Sequence, residues 1–555
     1  MAVPLRQAQG KFDKLRVKLL FCYKMMKIKT PILILLILLG SSACDRGFES
    51  LNTDPANPAE TTVDRLFAGY LSLTFWNYDY WANNAKNGWM IWTQQVSSTN
   101  NRGLSEFRQS DQGRDNMWSF LYRDIFQTYR AIEQEMEGQA PETQARSRYK
   151  MAAARVLLYF YAAKVSDLYG DIPFTEAGLG LSAGNPVLRP KFDSQESIYL
   201  AMLEGLRSIE ALYATNDPEQ FDFQNPEDEI DIYYFNDWSK WRRFANSLRL
   251  RLAMRLTEIR PDLAEQHAKE ILGGALPLIE SAADHAEWTK ATPGYESIGM
   301  NDAHRFDEAQ GIKSRASRRL WDQLANGVND ADIFDIRARI FYAKNAFNQW
   351  APIPSSPQAQ EEQNIQPDPL FDPDIPAQYS ILTPRFMGGR NTRERHFLSS
   401  ETAFLRAEAI WRGWVAGDAR AAYEEGIRRS VDWYVKAWNE VAPSNMQLEM
   451  PSEEELQALL NGPKVQWDDA RGLELILTQK WVDFMLDPLE AYSEWRRTGF
   501  PVLEEAVSVT GGPMAPPRRF VFPQSEAIDN AAHYQEAVSR MGGDTPDTKV
   551  WWDGG

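Results

Sequence analysis

Residues 75–102 hold the densest set of side chains suited to recognising a polyhydroxylated ligand. Phe75, Trp76, Tyr78, Tyr80, Trp81, Trp89 and Trp92 alternate there with Asn77, Asn83, Asn84, Asn87, Gln94, Asn100, Asn101 and Arg102. Flat rings stack on the apolar side of a pyranose, while amides and guanidinium groups take up hydroxyls. Trp89 and Trp92 stand three apart, so a helix places them on one face, and they are expected to pack inward. Trp76, Tyr78, Trp81 and Asn100 are the candidates for lining a pocket. Tyr295, Trp350 and Arg390, each in or beside a long loop, are the remaining ligand-binding candidates.

No catalytic pattern competes with this reading. The five histidines (His267, His285, His304, His396, His533) form no H-E-x-x-H motif. Gly294-Tyr-Glu-Ser-Ile-Gly299 has the wrong spacing for a nucleophile elbow. No glycine loop is arranged to cradle phosphate. A pair of glycosidase carboxylates is defined by its separation in space, so a surface glycoside hydrolase stays open as a reading from sequence. No cofactor is expected and no metal motif is present. A Ca²⁺ site would have to come from loop oxygens, since there is no EF-hand loop.

Charge and cysteine content narrow the partners. After the first 43 residues the chain carries 52 basic and 76 acidic side chains, a net charge of -24. Such a body repels nucleic acid. Cys22 and Cys44 are the two cysteines, which excludes a disulfide framework or a thiolate zinc site in the 511 residues beyond Cys44.

The elements around these residues begin with an export signal. Lys24, Lys27 and Lys29 precede the apolar run Ile32–Leu39, and Gly40-Ser-Ser-Ala43 lead to Cys44. The run is shorter than the roughly 20 residues that cross a bilayer, and it has the form of a signal peptide. Cys44 after three small residues resembles a bacterial lipobox, with Ser41 where leucine is usual, so its thiol is the expected lipid attachment site. The expected organisation is an extension and signal over 1–43, a tether over 44–62 and a single body over 63–555.

The body reads as mostly helical, so the fold class is all-α. Helices are expected over 145–169, ending at Gly170 and Pro173, over 194–213 with Ser194 or Ser197 as cap, and over 238–256 with Phe244, Leu248, Leu252 and Leu256 on one face. Residues 401–412 and 418–434 form a helix pair across a 413–417 turn. The pair has the length of a tetratricopeptide repeat, and Ala403, Ala407 and Gly426 are placed for close contact. A further helix is expected over 468–486. Long loops are expected over 178–191, 291–315, 352–390 and 503–517, where function concentrates.

Several segments, in order, resemble the SusD/RagB family of nutrient-binding outer-membrane lipoproteins of Bacteroidetes. They include Leu51-Asn-Thr-Asp-Pro-Ala-Asn-Pro58, Ser166–Ala177, Arg189–Glu196, Lys240–Arg255, Glu401–Trp411, Gln479-Lys-Trp481, Trp495–Gly499 and Arg518–Pro523. The resemblance implies tetratricopeptide-like helix pairs supporting a loop-rich ligand-binding face. It implies a non-enzymatic, surface-facing outer-membrane lipoprotein that binds a glycan and serves as the lid of a SusC-like TonB-dependent transporter. The same scaffold could carry peptides or another nutrient instead. The arginines of 242–255 and 496–497 are expected to pair with carboxylates rather than bind ligand.

Overall fold

The periodic segments fold as helices whose ends are set by the residues that flank them. The computed structural model describes residues 62–77, 80–99, 107, 109–181, 186–217, 231–292, 295–296, 299–302, 314–366, 378–508 and 510–554. Cys44, the signal segment and the tether lie outside the described residues. Val63–Gly555 forms one compact unit.

Helix α1 (Arg148–Tyr169) is alanine-rich and buried on nearly every side, so it forms the centre of the body. It stops at Gly170, whose φ of +84° suits glycine and whose N–H donates to the Ser166 carbonyl at 2.7 Å. Helix α2 (Gln195–Tyr213) begins where the Ser194 hydroxyl accepts the Ser197 N–H. Helix α3 (Trp238–Arg255) is capped by Asp237, which accepts from the Ser239 and Lys240 N–H groups. It lies against α2 and α1, with Phe244, Leu248 and Leu252 buried.

The expected helix pair is α4 (Ser399–Trp411) and α5 (Ala419–Val441). Gly413 (φ +76°) and Gly417 (φ +155°) shape the turn between them. Gly426 is required by packing, because a Cβ there would lie 2.6 Å from the Phe404 ring. Helix α5 runs past Tyr434 to Val441, since Val435, Ala437 and Trp438 continue its buried face. Helix α6 (Gly472–Asp483) packs on α4, and α7 (Pro488–Thr498) closes against α6. The expected single helix over 468–486 is instead α6 flanked by two short 3₁₀ turns.

Buried charges join these helices. Lys164 of α1 reaches Asp487 at 2.9 Å and Glu490 at 3.2 Å. Arg251 of α3 grips Glu401 of α4 at 2.6 Å, and Arg255 bonds Glu490 and Glu494 of α7. Arg497 binds Glu408 at 2.8 Å and Glu494 at 2.6 Å. The arginines of 242–255 and 497 thus pair with carboxylates, as expected in a chain with so many of them. Arg496 differs, donating to the carbonyls of Asp167 and Arg518.

Eight short strands are described. β1 (Val96–Ser98), β3 (Ser314–Ala316), β5 (Ile381–Leu382) and β4 (Tyr342–Ala343) form an antiparallel sheet in the order β1-β3-β5-β4. β2 (Ala286–Trp288) pairs with β6 (Glu394–Phe397), and β7 (Ala506–Val507) with β8 (Pro513–Met514). All four expected loops therefore carry structure, 178–191 through the 3₁₀ turn Leu179–Leu181. Residues 352–390 include the helices Pro357–Glu362 and Pro384–Met387 as well as β5, 291–315 reaches into β3, and 503–517 holds the β7–β8 hairpin.

Candidate functional site

Three loops converge where the helix Val63–Ser72 gives way to the π-helical turn Tyr80–Trp89. The first is 74–77. The Trp76 N–H donates to Glu394 Oε1 at 2.8 Å, fixing the loop to β6. Asn77 Oδ1 accepts the Tyr80 N–H at 3.0 Å and so starts the π-helical turn. The second segment, described at 295–296 and 299–302, packs backbone to backbone on the first: a Cβ on Gly299 would lie 2.5 Å from the Asn77 carbonyl carbon. The third, 386–394, is tied to the second by the Tyr295 hydroxyl, which donates to the Thr392 carbonyl at 2.9 Å. Asn301 Nδ2 also donates to the Gly388 carbonyl, and Arg390 meets Glu296 at 3.3 Å.

The rings in this cluster are framework. Trp76 is 6% exposed, stacked on Tyr80 at 3.9 Å and edge-on to Tyr161 at 5.1 Å. Trp81, at 1% exposed, is deeper still and meets Tyr80 edge-on. The Tyr295 ring is buried against Phe75 and Trp288. These burials correct the expectation that Trp76 and Trp81 offer open faces. Among the described residues of 75–102 the aromatic density serves packing, and Trp89 and Trp92 are buried as expected. Trp350 lies apart from the cluster. Its ring is 4.9 Å from Trp321, and its Nε1–H donates to Asp330 at 2.9 Å. Arg390 is exposed at the cluster's edge. Tyr78 and Asn100 lie outside the described residues.

Polar side chains and one half-buried ring remain available. Asn77, Glu296, Arg385 and Arg390 are exposed, while Asn301 and Phe75 are half-buried. The sequence singled out Arg390 and the amides near Asn77. It passed over Glu296, Asn301 and Arg385, although Glu296 directly follows Tyr295 in the same loop. The available signal was therefore loop membership rather than residue type.

Beneath the loops, burial pushes the Glu394 carboxyl well above the usual carboxylate range, opposed by the N–H of Trp76. Burial holds His396 well below its ordinary value, with Lys164 and Arg251 nearby acting in the same direction. The His396 ring bonds Tyr233 OH through Nδ1 at 2.8 Å and Tyr161 OH through Nε2 at 3.3 Å, and the Tyr161 hydroxyl donates to the Thr74 carbonyl. These buried groups hold the 74–77 loop from below, Glu394 through the Trp76 N–H and Tyr161 through the Thr74 carbonyl.

Among the described residues, no three or more His, Cys, Asp or Glu side chains come together in a way that would hold a metal ion. No helix among them is long and apolar enough to cross a membrane. A separate cleft of about 460 Å³, lined by Trp118, Tyr122, Val187, Leu188 and Asn530, shares no lining residue with the loop cluster.

Helix pairs supporting a cluster of loops define a helical scaffold protein that presents a loop-built face. Residues 76–553 match the family described as SusD-like, the SusD and RagB outer-membrane lipoproteins, and the chain belongs to that family. Among solved structures it is similar to a chitin-binding protein at 25% identity and a TM-score of 0.70, with 89% of this chain and 100% of that chain covered. It is also similar to a SusD homologue from Parabacteroides distasonis at 22% identity and a TM-score of 0.70, covering 89% of this chain and 98% of that one. A chitin-binding SusD homologue from Flavobacterium johnsoniae is similar at 21% identity and a TM-score of 0.65, covering 88% and 98%. No curated protein matches the chain.

Proposed function

We propose that this protein is a cell-surface lipoprotein, anchored through Cys44, that binds an oligosaccharide and delivers it to a SusC-like TonB-dependent transporter. The observation that carries this reading is the family match across residues 76–553, behind a lipobox-like cysteine. The loop cluster supports it. Asn77, Glu296, Arg385 and Arg390 supply hydrogen-bonding groups of the kind that hold hydroxyls, on a backbone pinned by Glu394 and Thr392. Tyr78 and Asn100, close in sequence, remain candidates for the same site. A chitin-binding protein among the similar structures makes β-linked N-acetylglucosamine oligomers the first ligands to try.

Binding would proceed without covalent chemistry. The assay is calorimetric titration of the lipoprotein in detergent micelles with chitohexaose, cellohexaose and maltohexaose, followed by chromatography of each sugar after a day of incubation. The expected result is saturable binding of at least one oligomer, recovered intact. Shortened oligomers would identify a hydrolase. Binding to peptides alone would make the nutrient a peptide. Co-purification with a TonB-dependent transporter from solubilised outer membranes tests the delivery step.

A further inference from the structure

The tip of the α4–α5 hairpin carries a groove unrelated to the loop cluster. It is about 1230 Å³ and is lined chiefly by Trp411, Asp418, Arg420, Gln466, Trp467 and Asp469. Helix α4 has 13 residues, so Trp411 at its end lies roughly 20 Å along the helix from its start, at about 1.5 Å per residue, and the groove shares no lining residue with the loop cluster. We infer that this groove is a second saccharide-binding surface, with Trp411 as its stacking platform and neutral pyranosides as its ligands.

Three observations support this inference. First, Trp411 stands 37% exposed at the end of a helix whose other aromatic ring, Phe404, is buried. Its Nε1–H is already committed to the Asp469 carbonyl at 3.2 Å, and the Trp467 Nε1–H to Asp469 Oδ1 at 2.7 Å. With both indole N–H groups already bonded to Asp469, these rings offer a ligand their carbon surfaces. Gly472 makes the arrangement possible, since a Cβ there would lie 2.4 Å from Trp411 and 2.9 Å from Trp467.

Second, the polar groups are held in place. Asp418 accepts the Ala421 N–H at 3.0 Å, and Asp468, also in the lining, accepts the Ala470 N–H at 3.0 Å. Arg420 is paired with Glu424 at 2.6 Å, and Arg471 with Glu474 at 2.7 Å. Groups already fixed lose little side-chain entropy when a ligand arrives.

Third, the charge selects the ligand. Counting Glu424 and Glu474, five carboxylates stand at the groove against the two guanidinium groups of Arg420 and Arg471, which leaves a net negative field. That field opposes anionic ligands, and the three aspartates do not form a group able to hold a metal. The Trp118 cleft lacks the platform: Trp118 is 6% exposed, with Tyr122, Tyr169, Phe192 and Phe522 packed around its ring.

The choice of probe rests on the proposed glycan-binding function, and the readout is local to the groove. The full lipoprotein, labelled with 5-fluorotryptophan, is titrated in detergent micelles with chitohexaose, cellohexaose and maltohexaose. The Trp411 resonance is assigned from its absence in Trp411→Phe. The expected result is a saturable shift of that resonance with at least one oligomer. Trp411→Ala should weaken binding at this site at least tenfold by calorimetry. Gln466→Ala, at an exposed position, should weaken it with the thermal midpoint unchanged. Calorimetric binding with the Trp411 resonance unmoved overturns the inference and leaves the proposed function standing. Absence of binding by any sugar overturns both. A shift produced by a tryptic peptide mixture and by no sugar overturns the inference in favour of a peptide groove.

Discussion

Replacing Arg251 by methionine tests whether the buried ion network sets the relation between α3 and α4. The guanidinium donates from Nε and Nη2 to the two Glu401 oxygens, both at 2.6 Å, and from Nη2 to the His396 carbonyl at 2.8 Å. Both side chains are almost fully buried, at 3% and 1% exposed. Methionine fills most of the volume but leaves the Glu401 carboxylate without its bidentate partner. Breaking a buried pair on one side destabilises by about 3–5 kcal/mol, whereas replacing both partners with apolar groups is often close to neutral. Arg251→Met should therefore lower unfolding free energy by about 3–5 kcal/mol. Arg251→Met/Glu401→Leu should recover most of that loss. The assay is urea denaturation followed by tryptophan fluorescence, with linear extrapolation. A pH arm checks the cause. Burial, opposed by Arg251, raises the Glu401 pKa above its ordinary value. A carboxyl raised on folding holds more protons in the native state, so its contribution to stability falls as pH rises through that window. Without Arg251 the pKa rises further, and the deficit of the single variant should be larger at pH 8 than at pH 5. A double variant as unstable as the single one, or a deficit that ignores pH, would refute the reasoning.

Three further outcomes are expected. Gly426→Ala should destabilise by about 1–3 kcal/mol through overpacking on Phe404, and Phe404→Leu in the same chain should relieve it, as read by thermal midpoints. His267 is held down to about 4 by burial, with Arg249 and Arg207 adding to it. The unfolded chain then binds the proton first, so stability is lost as pH falls from about 6.5 toward 4, and His267→Gln should flatten that limb of a midpoint-versus-pH curve. Cys44→Ala should move the protein from the membrane fraction to the soluble fraction on cell fractionation; continued sedimentation with membranes would place the anchor elsewhere.

How much of this was legible in the sequence follows from which forces act locally. Helices α1 to α3 could be read because caps and periodicity act within a few residues: Ser194, Asp237 and Gly170 mark their ends in the chain itself. Gly426 could be read as a contact position because a helix pair of that length needs small residues at its crossing. The site was harder. Trp76 and Arg390 each looked like a ligand contact, and one is core while the other is exposed. Residue type cannot separate them, since a tryptophan that stacks on Tyr80 and one that would stack on a sugar have the same local sequence signature. What separates them is the long-range bond from Trp76 N–H to Glu394, 318 residues away, which fixes the loop with its ring turned inward. The same argument explains Trp411. As the last residue of the first helix of the pair it carries no local sign of exposure, yet the approach of Gly472 and Asp469 from a distant segment ties down its polar edge and leaves the ring partly exposed. In this fold the helical core is written locally. The exposure of each aromatic ring is decided by partners tens to hundreds of residues away.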